Sequence, residues 1–266
     1  MARIPRDDSE TASLRGDDTR AGRGRDRRRL QAVLVLAATL AFVASPYLTQ
    51  GFSGFDPALF PIPQDEPPVQ PAGYAFGIWG VIYLGLAASA LFGLLARAEA
   101  PGWDAVRLPL ILSLVIGSGW IAAANMDPII ATIMIWAMLL TALVALRRAP
   151  AQDRWWLTAP LALYAGWLSA ASWVSVGLLL GGYGLLSPVA AALVALGLGA
   201  IFAGVMQIWV GRAPEYGLAV IWALIAVVVA NMPANLFPAL VAAAGVGVMI
   251  AAARQAYLAE SRTART

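Results

Sequence analysis

The chain has 266 residues, 60% hydrophobic and only 12% charged, against roughly 45–50% apolar and about 25% charged in soluble domains. It contains no cysteine and no histidine, which excludes disulfides, thiolate chemistry, zinc sites, an axial-histidine haem and histidine proton relays. The net charge of +3 arises from 18 basic residues, all arginine, against 15 acids. Its distribution speaks of topology and gives no reason to expect a nucleic-acid partner.

Residues 1–29 hold nine arginines and six acids with no apolar period, a composition expected to be a disordered tail. This tail serves as a topology determinant, or anchors to anionic lipid through the basic stretch 25–29. About 20 mostly apolar residues span the hydrocarbon core as a helix, and the first such run is 30–47. Signal-peptide cleavage after Val43-Ala44-Ser45 would place Pro46 beside the cut, so the run is read as a retained helix. The connection that follows, 48–73, is rich in proline and carries Asp56, Asp65 and Glu66. Proline stiffens it toward extended conformations; it is either a lid over a pocket or a spacer.

Further apolar runs occupy 74–96, 108–125, 129–146, 157–180, 188–210, 217–232 and 237–253. The expected fold is therefore all-α, a polytopic transmembrane bundle of about eight helices. Barrel strands would alternate polar and apolar residues, and these runs do not. The last two runs are the least secure, because Asn231, Pro233, Asn235 and Pro238 crowd their junction. Arginine falls before Leu30 and near 97–107, 147–154, 212 and 254–265, while the alternate gaps at 48–73, 126–128, 181–187 and 231–236 have none. Positive charge stays on the cytoplasmic side during insertion, so both termini are expected in the cytoplasm, with the chain in the inner membrane.

No Asp, Glu, Arg or Lys lies within these runs, which counts against proton-coupled export and against a charged channel filter. Gln207 is the most polar residue inside a run. Small residues at helical spacing (Gly85, Ser89, Gly93; Ser113, Gly117; Gly177, Gly181) read as close helix packing. The remaining chemistry is aromatic. Of ten tryptophans, Trp103, Trp155, Trp156, Trp209 and Trp222 lie in or beside arginine-bearing gaps and read as interfacial anchors. Trp79, Trp120, Trp136 and Trp173 each lie roughly 7–11 Å inside the opposite ends of helices two to five. Trp167 is deeper, and Tyr83 and Tyr164 lie one turn from Trp79 and Trp167. Such rings either wall a cavity for a planar hydrophobic ligand or form an aromatic girdle facing lipid. Asn125 and Asp127 end the third run at this level. Asp127 contacts a ligand, or caps the next helix ahead of Pro128.

The stretch PAGYAFGIWGVIYLGL, with Trp79, Gly80 and Tyr83, resembles the second helix of the TspO/MBR family of tryptophan-rich sensory or translocator proteins. APLALYAGWLSAASWVS resembles that family's fifth helix through Trp167 and Ala171, with Ser175 where the family has asparagine. Asn125 and Pro128 loosely echo a third-helix signature. The resemblance covers about 30–181 and implies a five-helix membrane domain, with 182–254 as three additional helices and 255–266 as a tail. It implies a pocket for porphyrin- or sterol-like molecules lined by Trp79, Tyr83, Trp120, Trp136, Tyr164, Trp167, Ala171 and Trp173, with Asn125 and Asp127 at its mouth.

The expected function is sensing or regulation by binding such a molecule, with a transporter lacking intramembrane charge as the alternative. No cofactor or metal is assigned, and a porphyrin is a candidate ligand held by stacking and hydrogen bonds. No nucleophile–base pair is evident, so enzymatic activity is not expected, light-dependent porphyrin breakdown being the weak alternative. Partners are membrane lipid and the hydrophobic ligand, with a homodimer left open.

Overall fold

A computed structural model describes residues 8–49 and 51–263. Among these residues there are eight α-helices and no strand. They are α1 (Asp8–Leu48), α2 (Ile78–Leu95), α3 (Pro101–Ala124), α4 (Pro128–Arg148), α5 (Thr158–Gly182), α6 (Pro188–Val210), α7 (Glu215–Asn231) and α8 (Leu236–Thr263). Seven helical segments are long and apolar enough to cross a membrane, and α7, at 17 residues, is shorter. The protein is a polytopic helical membrane bundle.

Local chemistry sets the helix ends. Pro101, Pro128 and Pro188 open α3, α4 and α6, where a missing N–H costs nothing. The Asp127 carboxylate accepts from the N–H groups of Ile129 (2.7 Å) and Ile130 (3.0 Å), and Ser187 caps α6 through the N–H of Ala190. Gly211, at φ 67°, ends α6 in the left-handed region that glycine tolerates. Helix α1 starts at Asp8, within the polar 1–29 segment. Extending a formed membrane helix avoids the nucleation cost that an isolated polar segment faces. Residues 1–7 lie outside the described residues. The 255–266 tail is likewise helical as far as Thr263.

Helix α3 lies between α1 and α4, and α5 contacts α2, α4, α6 and α7, while α8 covers α6 and α7. Small residues are used where helices meet. A Cβ at Gly117 would lie 2.7 Å from the Phe42 ring, and one at Gly93 would lie 2.6 Å from Trp103. At the arginine-bearing end, polar pairs tie the connections together. Arg97 is bound to Asp153 at 2.7 and 3.0 Å, Arg28 and Arg107 both reach Asp104 at 2.7 Å, and Arg154 meets Glu215 at 2.8 Å. Arg107 lies within α3 and is buried, with its remaining donors on the carbonyls of Arg28 and Arg97.

The proline-rich connection lies folded into the other end of the bundle. Phe60 packs on Gly182, and Val69 on Gly177. The N–H of Ile62 donates to the Gly182 carbonyl at 2.9 Å. From Pro68 onward the chain runs alongside α7. Asn231 Nδ2 donates to Pro68 O (2.8 Å), Ala72 N to Ala226 O (3.1 Å), and Trp222 Nε1 to Ala75 O (3.0 Å). Nine residues of α7 at about 1.5 Å each make this a descent of roughly 13 Å. Irregular backbone at depth is tolerated only where protein satisfies its polar groups, and α7 does so. Trp222, expected as an interfacial anchor, instead braces this segment. Trp103 also departs from that expectation: it is buried, with Nε1 on Asp153 at 3.2 Å.

Candidate functional site

Where the folded connection meets α2, α3 and α5, seven aromatic rings converge. Trp79 stacks on Tyr83 at 5.3 Å between ring centres, and Phe42 of α1 meets both edge-on at 5.8 and 5.3 Å. Trp167 lies edge-on to Trp79 at 6.2 Å and to Phe76 at 6.0 Å. Phe52, from the connection, meets Trp120 at 4.7 Å and Phe76 at 6.2 Å. Edge-to-face pairs at these separations each contribute about 0.5–1.5 kcal/mol beyond burial.

Two apolar clefts lie among these rings. One, of about 170 Å³, is lined by Phe42, Trp79, Tyr83, Trp120 and Met138 among others. The other, narrower at about 40 Å³, is bordered by Trp120, Trp167, Ala171, Ser175 and Ala223 together with the connection's Phe55, Gln70 and Pro71. Phe52, Phe76, Trp120 and Ile135 border both. The rings of Phe52 and Phe76 are thus a partition between adjoining spaces. The connection supplies part of the wall.

The sequence-based site residues divide into groups. Trp79, Tyr83, Trp120, Trp167 and Ala171 come together at the clefts. Trp136 and Trp173 do not: they pair with each other at 5.5 Å and with Phe202 of α6, away from Trp167. Trp173 borders a neighbouring slot between α5, α6 and α7, which shares Ala170, Val174 and Ala223 with the narrower cleft. The six residues from Trp167 to Trp173 turn α5 by about 600°, leaving the two rings about 120° apart around the axis. Equal depth does not give equal facing.

Tyr164 is fully buried behind the clefts, its hydroxyl 2.9 Å from Ser113 Oγ, which itself donates to Met138 O at 2.8 Å. It is a packing residue. Asp127 is the cap of α4, the turn role its sequence allowed. Asn125 borders a solvent-open, polar vestibule of about 650 Å³ above the narrower cleft.

Sequence reasoning missed Phe42, Phe52, Phe55, Phe76 and Gln70, and singled out Ser175 only as the position of the family's asparagine. Phe76 lies three residues before Trp79, and Phe52 three before Phe55, a helical or turn spacing open to detection. Gln207, singled out in the sequence for its polarity, is structural: its Nε2 donates to Arg212 O at 3.1 Å and its Oε1 accepts from Gly217 N at 2.8 Å. Among the described residues no group of acids could hold a metal ion. The chemistry these residues offer is stacking, apolar burial and a few hydrogen bonds.

A family model described as TSPO-like protein matches residues 32–256. Comparison with curated proteins and with solved structures returned no match.

Proposed function

The chain belongs to the TSPO-like protein family, and from that premise we propose that this membrane protein binds a flat hydrophobic small molecule, porphyrin- or sterol-like, for sensing or regulation. The observation that carries the reading is the convergence of Trp79, Tyr83, Trp120 and Trp167 with three phenylalanines around the adjoining clefts. Ligand sites for small molecules usually have about 300–1,000 Å³, more than the clefts enclose. A planar ligand therefore enters by parting Phe52 and Phe76, which merges the two spaces. The arginine-bearing end faces the cytoplasm in the inner membrane, and the vestibule faces outward, by the retention of positive charge.

Tryptophan fluorescence of the purified protein, titrated with protoporphyrin, tests this reading. Saturable quenching that weakens in Trp167→Phe supports it. Unsaturable quenching by protoporphyrin and by a flat aromatic cation alike, or quenching indifferent to Trp167→Phe and Trp120→Phe alike, rejects it.

A further inference from the structure

Resting on that reading of the cleft, we infer that the site selects by charge and favours a flat aromatic cation over an anionic tetrapyrrole. The narrower cleft and the vestibule share Phe52, Gly54, Phe55 and Gln70, so a ligand in the cleft has its polar end in the vestibule. The charged residues lining that vestibule are Asp56, Asp65 and Glu66, with no base among them. All four connections at this end lack arginine and lysine, and they add one further acid, Asp127. One oxygen of Asp56 is engaged by the N–H of Ala58 at 2.9 Å. Asp65 and Glu66 are exposed and make no ion pair with any described residue. The acids thus act as a field over an apolar opening, whose low-dielectric walls focus it.

An observation independent of the acids lies inside the cleft. Ser175 is only 3% exposed and lines the cleft, yet its hydroxyl has no hydrogen-bond partner among the described residues. On the cleft wall, that hydroxyl can accept an N–H from a ligand. The rings of Trp120 and Trp167, which line the same cleft, attract cations at their faces, more strongly where water is excluded. A tetrapyrrole with two propionates would bring negative charge to a mouth that offers no arginine to receive it. A planar amine or iminium bearing an N–H meets the acids, the ring faces and the Ser175 hydroxyl together.

The test uses the full-length protein in an uncharged detergent, with ethidium as the flat cation and protoporphyrin as the anion, each read by tryptophan quenching. The expected result is saturable quenching by ethidium. Asp65→Asn/Glu66→Gln weakens it about fivefold at low salt, with the loss shrinking toward 1 M salt as screening removes the field. Ser175→Ala weakens it about two- to tenfold at every salt concentration. Saturable protoporphyrin binding without ethidium binding overturns the charge preference and leaves the cleft reading intact. Ethidium affinity indifferent to both variants also overturns it. Failure of both probes rejects the cleft itself.

Discussion

Filling the narrower cleft from α5 separates ligand binding from folding. Ala171 lies one helical turn after Trp167 and borders the cleft on the same face. Ala171→Leu adds three carbons, roughly the room of three waters at about 30 Å³ each, to a space of about 40 Å³. The new side chain occupies the cleft and presses on the partition of Phe52 and Phe76. Overpacking costs about 1–3 kcal/mol where neighbours cannot yield; here the Phe52 side can, being on a connection. The folded bundle should therefore persist. A ligand excluded from the faces of Trp120 and Trp167 loses about 0.5–1.5 kcal/mol per ring, a five- to 150-fold loss at about 1.4 kcal/mol per tenfold. Probe titration by tryptophan quenching, alongside a thermal melt in detergent, reads both quantities. Unchanged affinity in a variant that melts like the parent would show that ligand never occupies this space, and the assignment of the cleft would fall.

Other substitutions separate the neighbouring roles. Trp173→Phe should leave probe affinity unchanged within twofold, because that ring pairs with Trp136 and Phe202 on another face of α5; a tenfold loss in the same titration would contradict the division. Asp127→Ala removes the cap of α4 and should cost about 0.5–2 kcal/mol of stability, seen as a lower melting temperature. The Arg97 hydrogen bond holds the Asp153 carboxyl below its ordinary value. A depressed carboxyl stabilises the fold above the unfolded value of about 3.9 and loses that contribution as pH falls through the folded one. The melting advantage of the parent over Asp153→Asn should be constant from pH 7 to about 5 and shrink below about pH 4. Asparagine suits this test because Asp153 has φ 59°, a conformation asparagine tolerates. An advantage that grows on acidification would refute the assignment.

The membrane bundle follows from quantities that a sequence carries directly. Apolar runs of spanning length and arginine in alternate gaps locate the helices to within a few residues, apart from α1, α3 and α8, which extend into polar flanks. Pro128 after Asp127 marks the start of α4 because the cap is a local interaction. What sequence spacing cannot carry is azimuth across helices. Trp79, Trp120, Trp136 and Trp173 share a depth, but which face of each helix looks inward depends on neighbours distant in the chain. Trp136 differs from the cleft-lining Ile135 by one residue, a rotation of about 100°. Trp222 shows the same limit from the other side. Its position near an arginine-bearing gap suggests an anchor, whereas a carbonyl 147 residues away takes its indole N–H.

Those long-range bonds bear on why the chain has more than five helices. Ala223 of α7 lines the narrower cleft, and α7 receives the folded connection through Asn231, Ala226 and Trp222. Without α7 the backbone at Pro68, Ala72 and Ala75 would lose these partners, a serious cost in an apolar medium. The connection, with its Phe52, Phe55 and Gln70, would then have no reason to hold its place over the cleft. The family match likewise runs on to residue 256. Of the later helices, α7 is part of the wall and holds the connection in place, while α8 covers α6 and α7.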